Sequence, residues 1–413
     1  MTEDTILTDF AGDSDSVEGM LLPENVPDEW EVRRLGSLFN RVSNRLDPEQ
    51  FDEHRYVSLK HIPENGARIR EFETSEGVSS AKYEFEEGDI LFGKLRPYFR
   101  KVALATFGGI CSTDINVIQP AEKVHRDFLH YTLFRQDFID FADKTSTGTR
   151  MPRADWDKLD DLLVAVPPYE EQKRIGEFLY AIDERRDTQR EMNELIYDLL
   201  LTTFKDRFIH HGGAGESKNT EIGEVPADFE VKTLSEFVEI ELGNSPKSEY
   251  YNEEEEGVAF FQGSNTFGSF YPTVEKCCTK PNKFAEEGDV LISIRAPVGD
   301  LNIATQRCCI GRGVTGLRMK EYENHFLFYL LEAKQKDWEK YKSGTTFNSI
   351  NKSDIESFPV PYPPEDEIKE FNNFARPLMA LTRQNYDESA ELAALRDTLL
   401  PRLISGRTKL KSE

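Results

Sequence analysis

The sequence has no long apolar run, and none of its stretches approaches the ~20 residues that a helix needs to cross a bilayer. Positive charge is missing from the start of the chain, where no Lys or Arg precedes Arg33. A secretory or transit leader begins with such charge, so the sequence predicts neither. We therefore expect a protein of the cytoplasm.

Cysteine and histidine are also scarce. The five cysteines are odd in number and include two adjacent pairs, whereas zinc ribbons place two residues between paired cysteines. Adjacent residues of a strand point to opposite faces, and the seven histidines show no metal-ligand spacing. The sequence thus favours reduced, half-buried thiols over a metal site. The cysteines are Cys111, Cys277, Cys278, Cys308 and Cys309.

Negative charge is abundant: 76 Asp and Glu against 51 Lys and Arg give a formal net charge of −25. Phosphate contacts need basic residues, but net charge governs solubility and steering rather than what a local patch binds. An acidic surface also suits a cytoplasm of molar salt, where the Debye length is only ~3 Å. We therefore hypothesise a halophilic prokaryotic source. Residues 1–24 are predicted to form an acidic tail without fixed structure.

An internal repeat with a period of about 200 residues is the strongest organisational feature. Four landmarks recur in the same order and at similar spacing, which indicates a duplication. They are Val26–Val32 with Val225–Val231, Glu87–Leu91 with Glu287–Leu291, Ser146–Thr149 with Lys342–Thr345, and Pro167-Pro168 with Pro363-Pro364.

Each copy ends in a predicted long helix that two prolines introduce. Acidic residues fill its first turn, and apolar residues then recur at the spacing of a coiled-coil seam. We expect the two helices to pair with each other, with a kink at Pro377, and to offer apolar positions to partner proteins. The alternative is two surface helices on separate domains. The apolar positions are Ile175, Leu179, Ile182, Met192, Ile196 and Leu199 in the first helix, and Leu392, Leu395 and Leu399 in the second.

The module before each helix reads as mixed α/β. Short strand patterns occur at Tyr56–Leu59, Ile90–Phe92, Val102–Thr106, Ile115–Ile118 and Leu162–Val166, and an amphipathic helix is predicted at Phe128–Phe141 with a twin at Leu327–Tyr341. The predicted domains are the tail 1–24, a first module 25–166, a long helix 167–211, a linker 212–224, a second module 225–362 and a second long helix 363–413.

Basic and polar residues concentrate at equivalent places in the two modules. Such side chains read base edges in the major groove or hold phosphates. The alternative is a solvated loop face with incidental charge, but recurrence at matching positions favours DNA binding. The candidates are Lys94, Arg96, Tyr98, Arg100, Lys101, Thr113, Thr149, Arg150 and Arg153 in the first module, and Arg295, Arg312, Thr345, Thr346, Asn348 and Lys352 in the second.

Catalytic motifs are missing. Val166-Pro167-Pro168-Tyr169 resembles the Asn/Asp-Pro-Pro-Tyr signature of DNA adenine methyltransferases, but valine cannot hydrogen-bond the adenine amino group. Gly212–Lys218 is glycine-rich but lacks the Gly-Lys-Ser/Thr ending of a P-loop. The sequence therefore predicts a protein without catalytic activity of its own.

Three segments carry a family resemblance. Glu87–Pro97, Gly288–Gly299 and the C-terminal segment Leu395–Gly406 resemble segments of the specificity subunit of type I restriction–modification systems. Two variable modules, each followed by a Pro-Pro-Glu-Glu-Gln-type helix, complete the likeness. It covers about Val26 to Lys411; the acidic N-terminal extension and Pro377 depart from it.

The resemblance implies two target-recognition domains separated by two long antiparallel coiled-coil helices, each domain reading half of a bipartite double-stranded DNA site. It also implies two adenine methyltransferase subunits and restriction subunits as partners. S-adenosylmethionine, ATP and Mg²⁺ would bind to those partners, and this chain would hold no cofactor. Three alternatives remain open. The first is the DNA-recognition subunit of a methylation-only or phage-defence assembly, and the second is a coiled-coil adaptor that binds proteins. The third is a DNA-modifying enzyme, which methyl transfer by the isolated chain would support.

Overall fold

The computed structural model describes residues 20–23, 25–50, 53–64, 66–148, 150–210, 216–341 and 349–410. The chain divides into two compact units: unit 1 is Met1–Asp187 with Ser389–Glu413, and unit 2 is Thr188–Glu388. Two helices of 40 residues, Tyr169–Phe208 and Glu365–Ile404, each cross the boundary between the units. Each unit therefore consists of one α/β module and one end of each long helix. No helix within the described ranges is both long and apolar enough to span a membrane.

Unit 1 is built on two five-stranded sheets and one three-stranded sheet. In hydrogen-bonding order, the first five-stranded sheet contains Phe39–Val42, Ile115–Pro120, Ile90–Gly93, Val102–Ala105 and Arg68–Ile69. The second contains Arg45–Leu46, Lys82–Phe85, Gly109–Cys111, Arg55–Val57 and Glu73–Thr74. The three-stranded sheet contains Met20–Leu21, Leu163–Val166 and Glu31–Arg34. The helices are Arg126–Phe134, Gln136–Lys144 and Trp156–Asp160, with 3₁₀ turns at Leu35–Leu38, Pro48–Gln50, Leu59–His61 and Pro97–Phe99.

The central strand Ile90–Gly93 shows how the core of unit 1 is layered. All four residues are buried, and neighbouring strands pair with both edges. Because strand side chains alternate, Ile90 and Phe92 join the core formed with the helices, whereas Leu91 joins a second core between the sheets. A continuous apolar strand is typical of a sheet covered on both faces.

Unit 2 repeats this plan. Its four-stranded sheet contains Val238–Leu242, Val314–Met319, Val290–Ser293 and Leu301–Ile303. Its five-stranded sheet contains Tyr251–Asn252, Cys277–Cys278, Val258–Phe261, Cys308–Ile310 and Phe284–Ala285. Two two-stranded sheets pair Glu230–Thr233 with Pro359–Tyr362 and Ser217–Thr220 with Gly223–Pro226. Its other helices are Leu234–Phe237, His325–Ala333 and Lys352–Glu356, with 3₁₀ turns at Ser248–Tyr250, Ser264–Thr266 and Gln335–Tyr341. Val290 and Ile292 face the helices, and Leu291 faces the second sheet.

The two long helices begin and end at positions 196 residues apart, since Tyr169 answers to Glu365 and Phe208 to Ile404. Their ends run antiparallel within each unit. In unit 1, Asp183 pairs with Arg396, and Arg186 donates to the carbonyl of Ser389. The pattern recurs in unit 2, where the amide of Asn385 donates to Asn193 at 2.8 Å and Arg207 pairs with Glu370.

The prediction of two mixed α/β modules with two long helices is confirmed, but several details were wrong. Arg135 has an extended backbone that divides the expected helix Phe128–Phe141 into two, and its twin ends as a 3₁₀ turn. Met20–Leu21 pairs with Leu163–Val164, so the acidic tail, otherwise outside the described residues, ends before it. The expected linker 212–224 contains the strand Ser217–Thr220. The second helix is unbroken at Pro377, and the kink expected there stays a prediction.

The seam of the first helix also differs from the prediction in its second half. The residues that enter the core of unit 2 are Ile196, Leu200, Phe204 and Phe208, whereas Met192 and Leu199 are exposed. The cysteines are all buried as free thiols rather than half-buried. Cys308 and Cys309 enter different apolar clusters, as adjacent strand positions require.

His130 is a buried imidazole whose two ring nitrogens find no hydrogen-bond partner among the described residues. Its burial lowers the pKa to about 3. The repeat places Phe328 at the equivalent position, because Phe128-Leu129-His130-Tyr131 answers to Phe326-Leu327-Phe328-Tyr329. An apolar ring of similar size is therefore already compatible with this local fold.

We expect His130→Phe to stabilise the protein by about 1–3 kcal/mol at pH 8, because the cost of two unsatisfied polar atoms disappears. The gain should increase below pH 6.5. In that range the histidine is protonated in the unfolded protein but stays neutral in the folded protein. The free energy of unfolding of the wild type therefore falls by about 1.4 kcal/mol for each pH unit, down to the folded pKa. Urea unfolding of both proteins at pH 8 and pH 5 measures the difference. A smaller gain at pH 5 than at pH 8 would contradict this account.

Candidate nucleic-acid interface

Three loops of unit 1 meet at one end of its sheets. The backbone N–H of Lys94 donates to the carbonyl of Asp114 at 2.8 Å, and that of Ala154 donates to the carbonyl of Lys94 at 3.0 Å. Ser112 donates to the carbonyl of Val57 at 2.9 Å. These bonds join the segments that follow Ile90–Gly93, Gly109–Cys111 and the helix Gln136–Lys144. The fold thus brings together loops that are widely separated in sequence.

Unit 2 contains the same framework. Ile294 donates to the carbonyl of Gly313 at 2.9 Å, Ile350 to that of Ile294 at 3.1 Å, and Gly311 to that of Phe261 at 2.8 Å. The isolated bridge between Leu95 and Arg153 in unit 1 is matched by a bridge between Arg295 and Ser349 in unit 2. We call each set of loops the loop cluster of its unit. The backbone geometry is repeated although the side chains on it differ.

In unit 1 the loop cluster gathers four of the predicted DNA-binding residues on an exposed surface. The N–H of Arg96 donates to the carbonyl of Pro152 at 2.8 Å, which brings its segment beside Arg150 and Arg153. Tyr98 lies two residues further on and is half exposed. Arg96 has a φ of 52°, a left-handed conformation that costs free energy in a residue other than glycine. Arg153 forms an exposed ion pair with Asp114 at 3.0 Å.

Three other predicted contacts of unit 1 serve the fold instead. Arg100 is buried, donates to the carbonyl of Phe134 at 2.6 Å and lies beside Asp397, so it is not available to DNA. Burial lowers its pKa to about 10. The side chain of Lys101 donates to the carbonyl of Leu59 and that of Lys94 to the carbonyl of Thr113. Burial also lowers the pKa of Lys94.

In unit 2, the candidates Arg295 and Arg312 are exposed on the loop cluster. Lys352 is exposed on a short helix and pairs with Glu356 at 3.3 Å. Thr113 of the first module is half-buried, and the remaining candidates lie outside the described residues. They are Thr149 in the first module, and Thr345, Thr346 and Asn348 in the second.

A family model described as type I restriction modification DNA specificity domain matches residues 27–196 and 226–385, about four fifths of the chain. The chain belongs to the family of type I restriction–modification specificity subunits. It carries two copies of the specificity domain, and as a specificity subunit it is a non-catalytic component of such systems.

A relative agrees with this assignment, and two solved structures are similar to the chain. The chain is 30% identical over 406 residues to the putative type I restriction enzyme MjaX specificity subunit of Methanocaldococcus jannaschii, covering 94% of this chain and 95% of the relative. It is 30% identical to the solved HsdS subunit of Thermoanaerobacter tengcongensis, covering 94% and 99% of the two chains with a TM-score of 0.39. The S subunit from M. genitalium is 18% identical, with 92% and 97% covered, and its TM-score of 0.59 supports the fold.

The predicted partner-binding positions of this specificity subunit fall into two groups. Ile175, Leu179, Ile182 and Ile196 are buried within their own units, so they hold the fold together and are not available to a partner. The others are partly or largely exposed. These are Met192, Leu199, Leu392, Leu395 and Leu399.

The structure also reveals exposed apolar side chains on the long helices of unit 2. Met192, Leu195 and Leu199 lie on the first helix and form what we call the outer face, and Phe374 and Leu381 are exposed on the second helix. Leu195 is 70% exposed and Leu199 is 50% exposed. Residues three and four apart share a helix face, so the three side chains of the first helix form one stripe. Sequence analysis missed Leu195 because a single seam was fitted to a helix that is apolar on two sides.

Proposed function

We propose that the loop cluster of each unit reads one half of a bipartite double-stranded DNA target. The observation that supports this is a repeated backbone framework carrying different side chains. Thr113 of unit 1 stands where unit 2 has Arg312, and Leu95 stands where unit 2 has Arg295. Base edges are read by side chains, whereas the backbone framework only positions them. Two equal frameworks with unequal side chains are what two readers of different sequences need.

Two methyltransferase subunits and the restriction subunits are the proposed partners of this chain. The outer face of unit 2 supports a protein partner, because a contiguous exposed apolar stripe is costly unless another protein covers it. S-adenosylmethionine, ATP and Mg²⁺ belong to those partners in this proposal. A role in phage defence and a cytoplasmic location follow from the same assignment.

We also propose that the protein works at high salt. The exposed run Glu253–Glu256 supports this, because none of its four carboxylates has a cationic partner among the described residues. In dilute buffer such a run repels itself, and at molar salt the repulsion is screened.

The division of labour between the units can be tested by mapping methylated adenines. The chain and its methyltransferase partner would be produced in cells that lack the system. Replacing Arg96 and Arg153 with Ala should lower modification roughly ten- to hundredfold for each lost base contact. The change should concern one half-site only. Arg312→Ala should alter the other half-site and leave the first unchanged.

Leu195→Glu supplies the contrast, because it lies on the outer face and not on a loop cluster. It should reduce modification at every site without changing the sequence preference, since a charge there weakens the partner contact. Melting curves of the free chain should match those of the wild type. If the Arg96 and Arg153 variant changed both half-sites equally, the assignment of one half-site to each unit would be wrong.

A further inference from the structure

Three glycines bring three loops of unit 2 into backbone contact. A Cβ atom on Gly243 would lie 2.1 Å from the carbonyl oxygen of Gly311, and one on Gly313 would lie 2.4 Å from that of Gln262. Real Cβ atoms do not approach backbone this closely, so any side chain at these positions would push the loops apart. The segments that follow Val238–Leu242, Val258–Phe261 and Cys308–Ile310 are therefore packed without intervening side chains.

Hydrogen bonds hold the backbone of the residues beside this contact in place. The N–H of Asn244 donates to the carbonyl of Ile310 at 3.0 Å, and the N–H of Arg312 donates to the Oγ of Ser245 at 3.0 Å. Gly313 donates to the carbonyl of Gln262 at 3.1 Å. The backbone of each of these loops is thus held by its neighbours. Rigid support of this kind positions side chains with little loss of entropy on binding.

Three side chains on these loops form no hydrogen bond or ion pair with the described residues. Asn244, Gln262 and Arg312 are all exposed, and none has a side-chain hydrogen bond or ion pair with any described residue. Five other arginines of unit 2 behave differently, whereas Arg190 and Arg295 are likewise exposed without an ion pair to any described residue. Ion pairs are formed by Arg207, Arg307, Arg318, Arg376 and Arg383. In a chain with a net charge of −25, an arginine without a carboxylate beside two free amides indicates a surface kept open for an external ligand.

We propose that Asn244, Gln262 and Arg312 are the specificity-determining residues of unit 2 and read purines in its half-site. The amides of Asn and Gln match the N6 and N7 groups of adenine, and the guanidinium of Arg matches the O6 and N7 acceptors of guanine. The half-site read by unit 2 accordingly contains a guanine and at least one adenine. This inference rests on the proposed function and names the residues that carry it out.

Unit 1 carries different residues on the equivalent loops. Gln262 answers to Ser58, because Gly311 donates to Phe261 as Ser112 donates to Val57. Ser58 is engaged locally, since its N–H donates to the Nδ1 of His61. Asn244 answers to Arg45 and Arg312 to Thr113. The half-site of unit 1 therefore has a different sequence, read with different chemistry.

The test uses the full chain with its methyltransferase partner. Gln262→Ala should relax the preference at one base pair of the unit 2 half-site and lower modification there roughly ten- to hundredfold. Asn244→Ala should act on a second base pair in the same way. Gln262→Glu should move the preference towards cytosine, because a carboxylate accepts a hydrogen bond from the N4 amino group and offers no donor to adenine.

Gln306→Ala is the matched control. Gln306 is also an exposed glutamine of unit 2, but it precedes the strand Cys308–Ile310 at the end opposite to Gly311. It should leave target, rate and melting temperature unchanged. Melting curves of the Gln262 and Asn244 variants should match the wild type, since neither side chain contributes to the fold.

The outcomes separate this inference from the proposed function. If Gln262→Ala and Asn244→Ala kept the wild-type target and rate while Arg312→Ala changed one half-site, the amides would not read bases, and the proposed function would stand. If no variant of either loop cluster changed a half-site, the proposed function itself would fail. A preference change in the unit 1 half-site would overturn the inference as well.

Discussion

Replacing Asp183 with methionine is expected to destabilise unit 1 by roughly 3–5 kcal/mol, because it leaves the guanidinium of Arg396 buried without its main partner. Arg396 is 1% exposed and Asp183 is 2% exposed. Their side chains are 2.7 Å apart, and Tyr131 donates to the other carboxylate oxygen at 2.7 Å. Arg396 would still lie beside the half-exposed carboxylate of Asp397 and the ring of Phe134, but the buried carboxylate would be gone.

The internal repeat supplies the compensating change. In the repeat, position 183 corresponds to Met379 and position 396 corresponds to Leu200. Both residues are buried in unit 2 and carry no charge. The double variant Asp183→Met with Arg396→Leu therefore copies a pair that this fold already accommodates. We expect it to recover most of the lost stability, since replacing a whole buried ion pair with apolar residues is often neutral or stabilising.

Urea unfolding of the full chain measures both effects. Trp30 and Trp156 belong to unit 1, and Trp338 is the third tryptophan of the chain. In a Trp338→Phe background the fluorescence change therefore reports unit 1. Ser37→Ala, an exposed change in the same unit, serves as the control. If the double variant were as unstable as Asp183→Met, the loss would come from packing around position 183 and not from an unpaired charge.

Much of the fold was predictable because its signals are local or periodic. The duplication, the mixed α/β modules and both long helices follow from repeated motifs, proline pairs and apolar spacing. The prediction of the seam was wrong where two faces of the first helix are apolar. Met192 and Leu199 fit a 3–4 spacing as well as Ile196 and Leu200 do. Spacing alone cannot tell which apolar face is covered by the same chain.

The candidate site was predictable only in part. Arg96, Arg153, Arg295 and Arg312 were found by their recurrence near matching motifs, but the same argument included Arg100, which is buried. Burial depends on residues far away in sequence, such as Asp397. The loops around Gln262 were missed because Gly243 and Gly311 come together only after the sheets form. Three isolated glycines in a sequence do not indicate a shared contact.

Salt should stabilise this protein and leave its specific DNA binding largely intact. Screening of the surplus carboxylates should raise the melting temperature from low to multimolar KCl. Typical proteins with 6–10 phosphate contacts lose roughly 10³–10⁵ in affinity between 50 and 200 mM salt. Binding that relies on base-edge hydrogen bonds releases few counterions, so we expect a loss of only about tenfold over that range.

The experiment records melting temperature and target affinity of the methyltransferase-bound complex across the KCl series. Replacing the four residues Glu253–Glu256 with Gln supplies the matched control, because it removes four exposed charges from one loop and leaves the loop clusters untouched. This variant should be more stable than the wild type at low salt and should gain less from added salt. Ion-specific stabilisation of some other kind would affect both proteins equally.

A complex that melts earlier and releases its target as KCl rises would exclude adaptation to high salt. The acidity would then need a different cause, such as a basic surface of the methyltransferase lying against it.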